Sequence, residues 1–397
     1  MALDGIVIAN IKNELNNTVV GGRLYKIAQP ESDELLLTIK KPEGQFRIVI
    51  SANASLPLIY LTNENKPSPM TAPNFCMLLR KHLGNGRIIS VTQPGLERII
   101  DFEIEHLNEM GDICTKHLIA EFMGKHSNII FCDNNNIIID SIKRVSSQMS
   151  SIREVLPGRN YFIPNTEEKI NPLNASINDF ENTVFKKAAP ISKAIYTSFT
   201  GISPVVAEEI CFEASISSDF LANSLNENEK LHLFGIFQRI CDLIKSNDFT
   251  PNIYFENKEP KEFSSIPMSM YGSCTNYSSV SELLCDYYAK KSIVTRMRQK
   301  SYDLRKIVSN ALERSYKKLD IQERQLKSTE KRDKFRIYGE LINTYGYNIQ
   351  ESAKSFVALN YYDNTEITIP LDNTLTPSEN ACGRRRSPQR PDRQKMQ

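Results

Sequence analysis

An α+β protein of several domains is the class this sequence predicts, on three observations. From residue 23 to residue 142, short runs alternate apolar and polar residues at period two, broken by Gly, Pro, Asn and Asp. From about Asn174 to Asn257 the apolar spacing turns helical, without convincing strand alternation. From Ser278 to Tyr345 helical spacing continues with no Pro and no Gly before Gly339. A chain of 397 residues is too long for one core, so two or three domains are expected.

The elements follow in order. Leu3, Ile6, Val7, Ile11 and Leu15 share one helix face, with Asp4 in the first turn, where a carboxylate suits the helix dipole, and Gly21-Gly22 ends the unit. Strands are expected at Arg23–Gln29, Glu34–Lys40, Phe46–Ser51 and Leu58–Thr62. A short helix, Phe75–Leu83, is stopped at Gly84. Strands at Arg87–Gln93, Arg98–Leu107, Cys114–Met123, Ser127–Cys132 and Ile137–Ile142 then read as an antiparallel meander with one buried and one wet face. Charged pairs at its turns, Glu97-Arg98 and Lys125-His126, are candidate contacts. On residues alone the first reads as a salt bridge at a strand start and the second as solvated turn residues.

Ala194–Ala214 has the form of a helix-hairpin-helix, with Gly201 and Pro204 at the turn; a glycine turn and a helix N-terminus there offer N–H groups to a phosphate. The acidic surround, 11 acidic against 5 basic residues between Glu208 and Glu262, argues against a duplex-binding hairpin and for structural packing. The long helix is the reverse: 16 Lys/Arg against 6 Asp/Glu from Lys290 to Arg336 imply a polyanionic partner. Arg296, Arg298, Lys317 and Lys318 are its candidate phosphate contacts. Met297, Leu304, Val308, Leu312, Tyr316, Leu319 and Leu326 form an imperfect coiled-coil seam. Such a helix spans about 100 Å and needs a partner helix. Phe356–Tyr361 and Glu366–Pro370 read as a hairpin around Asp363-Asn364, and Ser378 is expected to cap a returning helix.

Eight cysteines without CxxC spacing and five scattered histidines make no metal site; reduced thiols of a cytoplasmic protein are expected. No apolar run reaches membrane-spanning length, and the N-terminus lacks the marks of a signal peptide. No Walker motif, GxSxG or HExxH occurs, so neither an enzyme nor a bound cofactor is expected.

With these residues in view the chain resembles the NFACT family of bacterial and eukaryotic ribosome quality control factors. The likeness is carried by MALDG, NFCMLLRKHLGNGRI, QPGLERII, MGKHSNII, IDSIKR, PGRNYFIP, GISPVVAEEI, SSVSELLCDYYA, the NYYDN…ITIPLD hairpin and LTPSENA. It implies an N-terminal domain similar in fold to the catalytic domain of formamidopyrimidine-DNA glycosylases (residues 1–175), a helical helix-hairpin-helix domain (176–272) and a coiled-coil arm with a small β tip (273–381). It also implies binding to obstructed large ribosomal subunits carrying peptidyl-tRNA, contact with rRNA, and recruitment of alanyl-tRNA for template-free alanine tailing. The family's functional acid falls on Asp4, and its acid-Arg pair, more often Asp-Arg, on Glu97 and Arg98, which are thus the tRNA-binding candidates. The resemblance stops at Cys382; residues 382–397 are expected as an atypical, disordered tail of a truncated form in which tailing is impaired.

A lyase-type glycosylase needs an N-terminal amine nucleophile, and positions 2 and 3 are Ala2 and Leu3, with no zinc-finger cysteine pairs. A fibronectin-binding adhesin is the alternative, since many bacterial relatives carry that name, but no repeat array or wall-anchor motif supports it.

Overall fold

The computed structural model describes residues 3–108, 110–164, 169–256, 259–350 and 352–385, with side chains at all of these except 259, 289–300, 302–303, 328–331 and 384–385. It divides into two compact units, Met1–Thr295 and Arg296–Gln397.

In the first unit α1 (Gly5–Val19) is followed by β1 (Arg23–Glu31), β2 (Glu34–Lys41), β3 (Gly44–Ser51), β4 (Leu58–Thr62) and α2 (Asn74–Leu83). Then come β5 (Arg87–Thr92), β6 (Ile99–Leu107), β7 (Ile113–Glu121), β8 (Asn128–Asp133) and β9 (Ile138–Ser141). All nine strands form one antiparallel sheet, ordered β4-β3-β2-β1-β5-β6-β7-β8-β9, within a residue or two of the expected boundaries at most ends. Two sequential meanders thus make the sheet. They meet at a single register pair, Arg23 opposite Arg87. The backbone bonds of Gly21 N to Ile88 O (2.8 Å), Leu24 N to Gly86 O (2.8 Å) and Ile88 N to Gly22 O (2.9 Å) complete that junction.

Helix α1 covers it. Ile8, Ile11 and Leu15 are fully buried with α2 residues Cys76, Leu79 and Leu83 against one face of the sheet. Each such side chain contributes roughly 1.5–3 kcal/mol of burial. The helix begins two residues later than its apolar spacing suggests. Asp4 is its N-cap with an extended backbone, not a first-turn acid.

A second core gathers α3 (Ile177–Thr183), α4 (Ile191–Ser198), α5 (Pro204–Glu213) and α6 (Glu227–Lys245) around Phe180, Phe199 and Phe237. Both cores use α1, because Ile6 and Ala9 face the helical cluster while Val7, Ile8 and Ile11 face the sheet. The expectation of an all-helical stretch here is corrected by β10 (Asn252–Glu256), β11 (Glu259–Ser264) and β12 (Cys274–Asn276), a three-stranded antiparallel sheet. Ile253 enters the first core and Tyr254 the second. A strand buried on both faces shows no period-two pattern, so NIYFE does not announce itself.

Helix α7 (Val280–Tyr345) starts inside this unit, with Val280, Leu283, Leu284 and Tyr287 in the first core. Its cap is Ser279, whose hydroxyl accepts from Glu282 N at 3.0 Å. Ser281 Oγ accepts from Leu61 N (2.8 Å) on edge strand β4 and donates to Glu14. That carboxyl is pushed up by burial, against the hydroxyls that bind it.

The second unit holds the remainder of α7, the hairpin β13 (Ser355–Asn360) and β14 (Thr365–Pro370), and α8 (Pro377–Arg385). Tyr338, Leu341, Ile342, Ala358, Ile369 and Ala381 form its core. The cap of α8 is Thr376, not Ser378: Thr376 Oγ1 accepts from Glu379 N (3.3 Å) and Glu379 Oε2 accepts from Thr376 N (2.8 Å), a capping box. Buried Asn380 locks the approach, accepting from Asp372 N (2.9 Å) and donating to Asp372 O (3.0 Å). Cys382–Arg385 continue this helix, which corrects the start of the expected tail; residues 386–397 lie outside the described residues. Along α7, Leu304, Val308, Leu312, Tyr316, Leu319 and Leu326 are 51–64% exposed, so the expected seam is a bare apolar stripe. Met297 of that seam lies outside the described side chains.

Candidate nucleic-acid interface

Three sequence-distant backbone segments close on one another at one end of the large sheet. Gly5 N, at the start of α1, donates to Gly201 O (3.0 Å) in the α4–α5 turn. A Cβ on Gly5 would stand 2.2 Å from Leu96 O and 2.6 Å from Gly201 Cα. A Cβ on Gly201, whose φ is +75°, would stand 2.2 Å from the same Leu96 oxygen. Only glycine fits at either position. Gln93 ties the third segment in, donating from Nε2 to Gly5 O (2.9 Å) and to Glu97 O (2.8 Å).

Asp4 sits in this knot, nearly buried. One carboxylate oxygen accepts from Ile6 N (3.1 Å) and Val7 N (3.0 Å); the other accepts from Ser203 Oγ (2.7 Å). Ser203 in turn caps α5, its hydroxyl accepting from Val206 N at 3.3 Å. Two helix N-termini therefore converge on a single acid, and both favour its charge. Desolvation by burial outweighs them and pushes the Asp4 carboxyl from an ordinary 3.8 up to about 6.

Glu97 and Arg98 are half-buried and lead directly into β6. Arg98 O accepts from Phe122 N (2.9 Å), which places the residue beside the end of β7. Burial pushes the Glu97 carboxyl up; Arg98 and then Lys169 pull against it, and nearby Glu121 reinforces the rise. Glu121, at the end of β7, is fully buried, ion-paired to Arg153 and accepting from Tyr161 Oη at 3.0 Å. Glu121 stands opposite Ile99 in register, so that pair lies beside the Glu97-Arg98 turn. Beside it Arg153, Arg159, Ser150 and Phe162 line a shallow groove of about 390 Å³.

Lys125 and His126 lie in a single 3-10 turn, Gly124–His126, between β7 and β8, both exposed. Because β6 starts and β7 ends here, the sheet brings them to the same end as Arg98 and Asp4. Lys317 and Lys318 are exposed on α7 in the other unit, Lys317 pairing with Glu313 (2.8 Å) one turn back. The side chains of Arg296 and Arg298 lie outside the described residues. Among the described residues no His/Cys/Asp/Glu group suits a metal ion, and no helix is long and apolar enough to cross a membrane.

Gln93 and Ser203 are the positions of the knot that sequence reasoning passed over. Both lie in quoted stretches, QPGLER and GISPVV, but their partners are 88 and 199 residues away, so no local spacing marks them.

Comparison with known proteins bears on this geometry. The Rqc2 homolog RqcH of Bacillus subtilis (strain 168) is 35% identical over 384 residues, covering 96% of this chain and 65% of that protein. The ribosome quality control complex subunit NEMF of Homo sapiens is 22% identical over 236 residues, covering 59% of this chain and 20% of that one. The chain thus spans just under two thirds of its bacterial relative. Among solved structures, the fibrinogen binding protein from Staphylococcus aureus superposes with TM-score 0.63 at 27% identity, covering 72% of this chain and 99% of that one. The chain is therefore homologous to ribosome quality control factors, and its first unit shares its architecture with a protein named for fibrinogen. The model of the NFACT N-terminal and middle domains matches residues 4–384, including every segment of the knot, and the chain belongs to the NFACT family.

Proposed function

We propose that the chain is a ribosome quality control factor that binds the large ribosomal subunit and uses the knot end of its sheet to hold a tRNA. In this reading it recruits alanyl-tRNA for template-free tailing of an obstructed peptide. The observation that carries it is Arg98: a guanidinium at a strand start, its backbone bonded to Phe122, on a turn clamped by Gln93, Gly5 and Gly201. A planar donor held this way can grip a phosphate or a base edge through two hydrogen bonds, which a lysine cannot match. The adjoining Glu97 orients it or accepts from a base amino group. Lys125 and His126 extend the edge with exposed donors, and the basic stretch of α7 supplies salt-sensitive attraction to rRNA. No bond-making chemistry is assigned to the chain; the partners are RNA.

The test is co-sedimentation with large ribosomal subunits and tRNA across a salt series, for the wild type and Arg98→Ala. The variant is expected to lose tRNA recruitment about tenfold or more, at a stability cost within about 0.5 kcal/mol. Equal tRNA recovery from both proteins refutes the assignment. The second reading, a fibrinogen- or fibronectin-binding surface, is favoured by the names of solved structures, the fibrinogen binding protein from Staphylococcus aureus and the fibronectin/fibrinogen-binding protein from Streptococcus suis among them. Saturable binding of soluble fibronectin at physiological salt, unaffected by Arg98→Ala, would support it.

A further inference from the structure

The expectation of one buried and one wet face is corrected: Leu36 and Val49, and farther along Ile99, Ile119 and Ile130, are buried on the second face too. The part of that face left exposed carries a charged zone at the end opposite the knot. Directly opposed residues on paired strands share a face, and Lys40, Arg23 and Arg87 stand in one cross-strand row on β2, β1 and β5. The next row on the same face places Lys26 and Arg47 on either side of Thr38. Five cations thus occupy an area about 14 Å across the strands and about 7 Å along them. Arg23, Lys26, Lys40 and Arg87 are exposed, and Arg47 is half-exposed.

None of the five forms an ion pair with a described residue. Arg23 donates to Asn85 O (3.2 Å), Arg47 to Asn63 O (3.3 Å), and Lys40 Nζ lies 3.3 Å from the ring centroid of Tyr25. A bulge between Leu24 and Lys26 turns both Tyr25 and Lys26 outward, adding an exposed ring to the patch. The acids nearest in register are Glu105, opposite Arg87 on β6, and Glu43 in the β2–β3 turn. Beyond β5 the face changes sign. Asp101, Glu103 and Glu105 alternate along β6, with Asp101 engaged by His117 (3.0 Å) and Glu103 by Ser90 (2.8 Å).

Like charges set directly opposite one another on a sheet cost stability, so packing does not account for this row. We infer that the face from β3 to β5 is a docking surface for the phosphate backbone of RNA. Its cations engage successive phosphates, and the acids of β6 bar the strand from passing beyond β5. Glu105 and Arg98 are seven positions apart on β6, so this contact lies roughly 24 Å from the knot. An RNA held at Arg98 and on this face meets the sheet at both ends. The inference rests on the RNA-binding reading above and adds a second point of attachment to it.

The test measures binding of a labelled tRNA transcript by fluorescence anisotropy across a salt series. It compares the wild type with Arg23→Gln/Lys40→Gln/Arg87→Gln and, separately, with Arg98→Ala. The triple variant is expected to bind about tenfold or more weakly at low salt, with the slope of log affinity against log salt shallower by about 2 to 3. Its thermal midpoint should hold or rise. Arg23→Lys/Arg87→Lys should keep most of the affinity, because phosphate attraction needs charge more than shape. Unchanged affinity and slope in the triple variant, with Arg98→Ala still impaired, overturns this surface and leaves the knot reading standing. A fallen thermal midpoint accompanying the lost binding shows the cations to be structural and also overturns it. If the wild type ignores tRNA but binds vesicles of anionic lipid, both readings fall.

Discussion

The knot at the start of α1 and the bare stripe of α7 are opposite solutions to being helical. At the knot every polar group named has a partner, and the parts are small: Gly5, Gly201, Ser203, Gln93 and one buried acid. Along α7, six apolar side chains from Leu304 to Leu326 keep their spacing and touch mostly solvent. The first region is specified by long-range closure that a single added carbon destroys. The second is specified by local propensity alone and tolerates replacement until something covers it.

The sharpest way to break this contrast is to add that carbon. Gly201→Ala places a Cβ 2.2 Å from Leu96 O on a backbone at φ +75°, combining overlap with left-handed strain. A loss of about 4 kcal/mol is expected, read from the urea midpoint. A loss below about 1 kcal/mol would mean that the three segments do not close as described.

The next effect concerns the acid. The unfolded Asp4 gives up its proton near 3.8 and the folded one near about 6, so its contribution to stability is fullest below 3.8 and is lost as pH rises to 6. Roughly 3 kcal/mol should disappear across that window. In Asp4→Asn the amide oxygen keeps the cap to Ile6 and Val7 while the charge is gone. At neutral pH that variant should be more stable than the wild type by about 2 kcal/mol, and the gap should close by pH 4. Denaturation curves at the two pH values check the sign. A more stable variant that also recruits less tRNA would show an acid retained at a cost to the fold.

Gln93→Ala is a smaller perturbation, removing two hydrogen bonds and leaving Gly5 O and Glu97 O without that donor. About 1–2 kcal/mol is expected, together with a drop in tRNA recruitment resembling that of Arg98→Ala. Lost stability with intact recruitment would confine Gln93 to the fold. Last, Leu312→Ala on the stripe should change the unfolding midpoint by no more than about 0.5 kcal/mol. A larger cost would show that the stripe is covered in solution.

How far the fold was legible follows from the same contrast. Wherever the signal is local, the chain announces it: Leu58–Thr62 is a strand to the residue, and the hairpin around Asp363-Asn364 stands where turn chemistry puts it. The nine-run pattern shows strands but not that they join into one sheet, because Arg23 and Arg87 are linked by no nearby pattern. β10 was hidden because Ile253 and Tyr254 serve opposite cores. At the candidate site, Asp4 shows in the sequence as an acid at a helix start and Glu97-Arg98 as a charged pair at a turn, and only the resemblance gives them a role. Their convergence depends on Gly201 and Gln93, whose importance is a matter of space and not of side-chain chemistry. Asp4 in particular is a buried N-cap and not the first-turn acid that the helical spacing suggests.

The thin junction between β1 and β5 has a kinetic consequence. Each meander is built from neighbours in sequence, so each can form early with little chain entropy spent on loop closure. The junction must wait for α1 to lie across both, since α1 is the element that packs on β4, β5 and β6 alike. Refolding should therefore show Ile48 and Leu118 amides protected before those of Leu24 and Ile88, and pulse-labelled hydrogen exchange would time the two events.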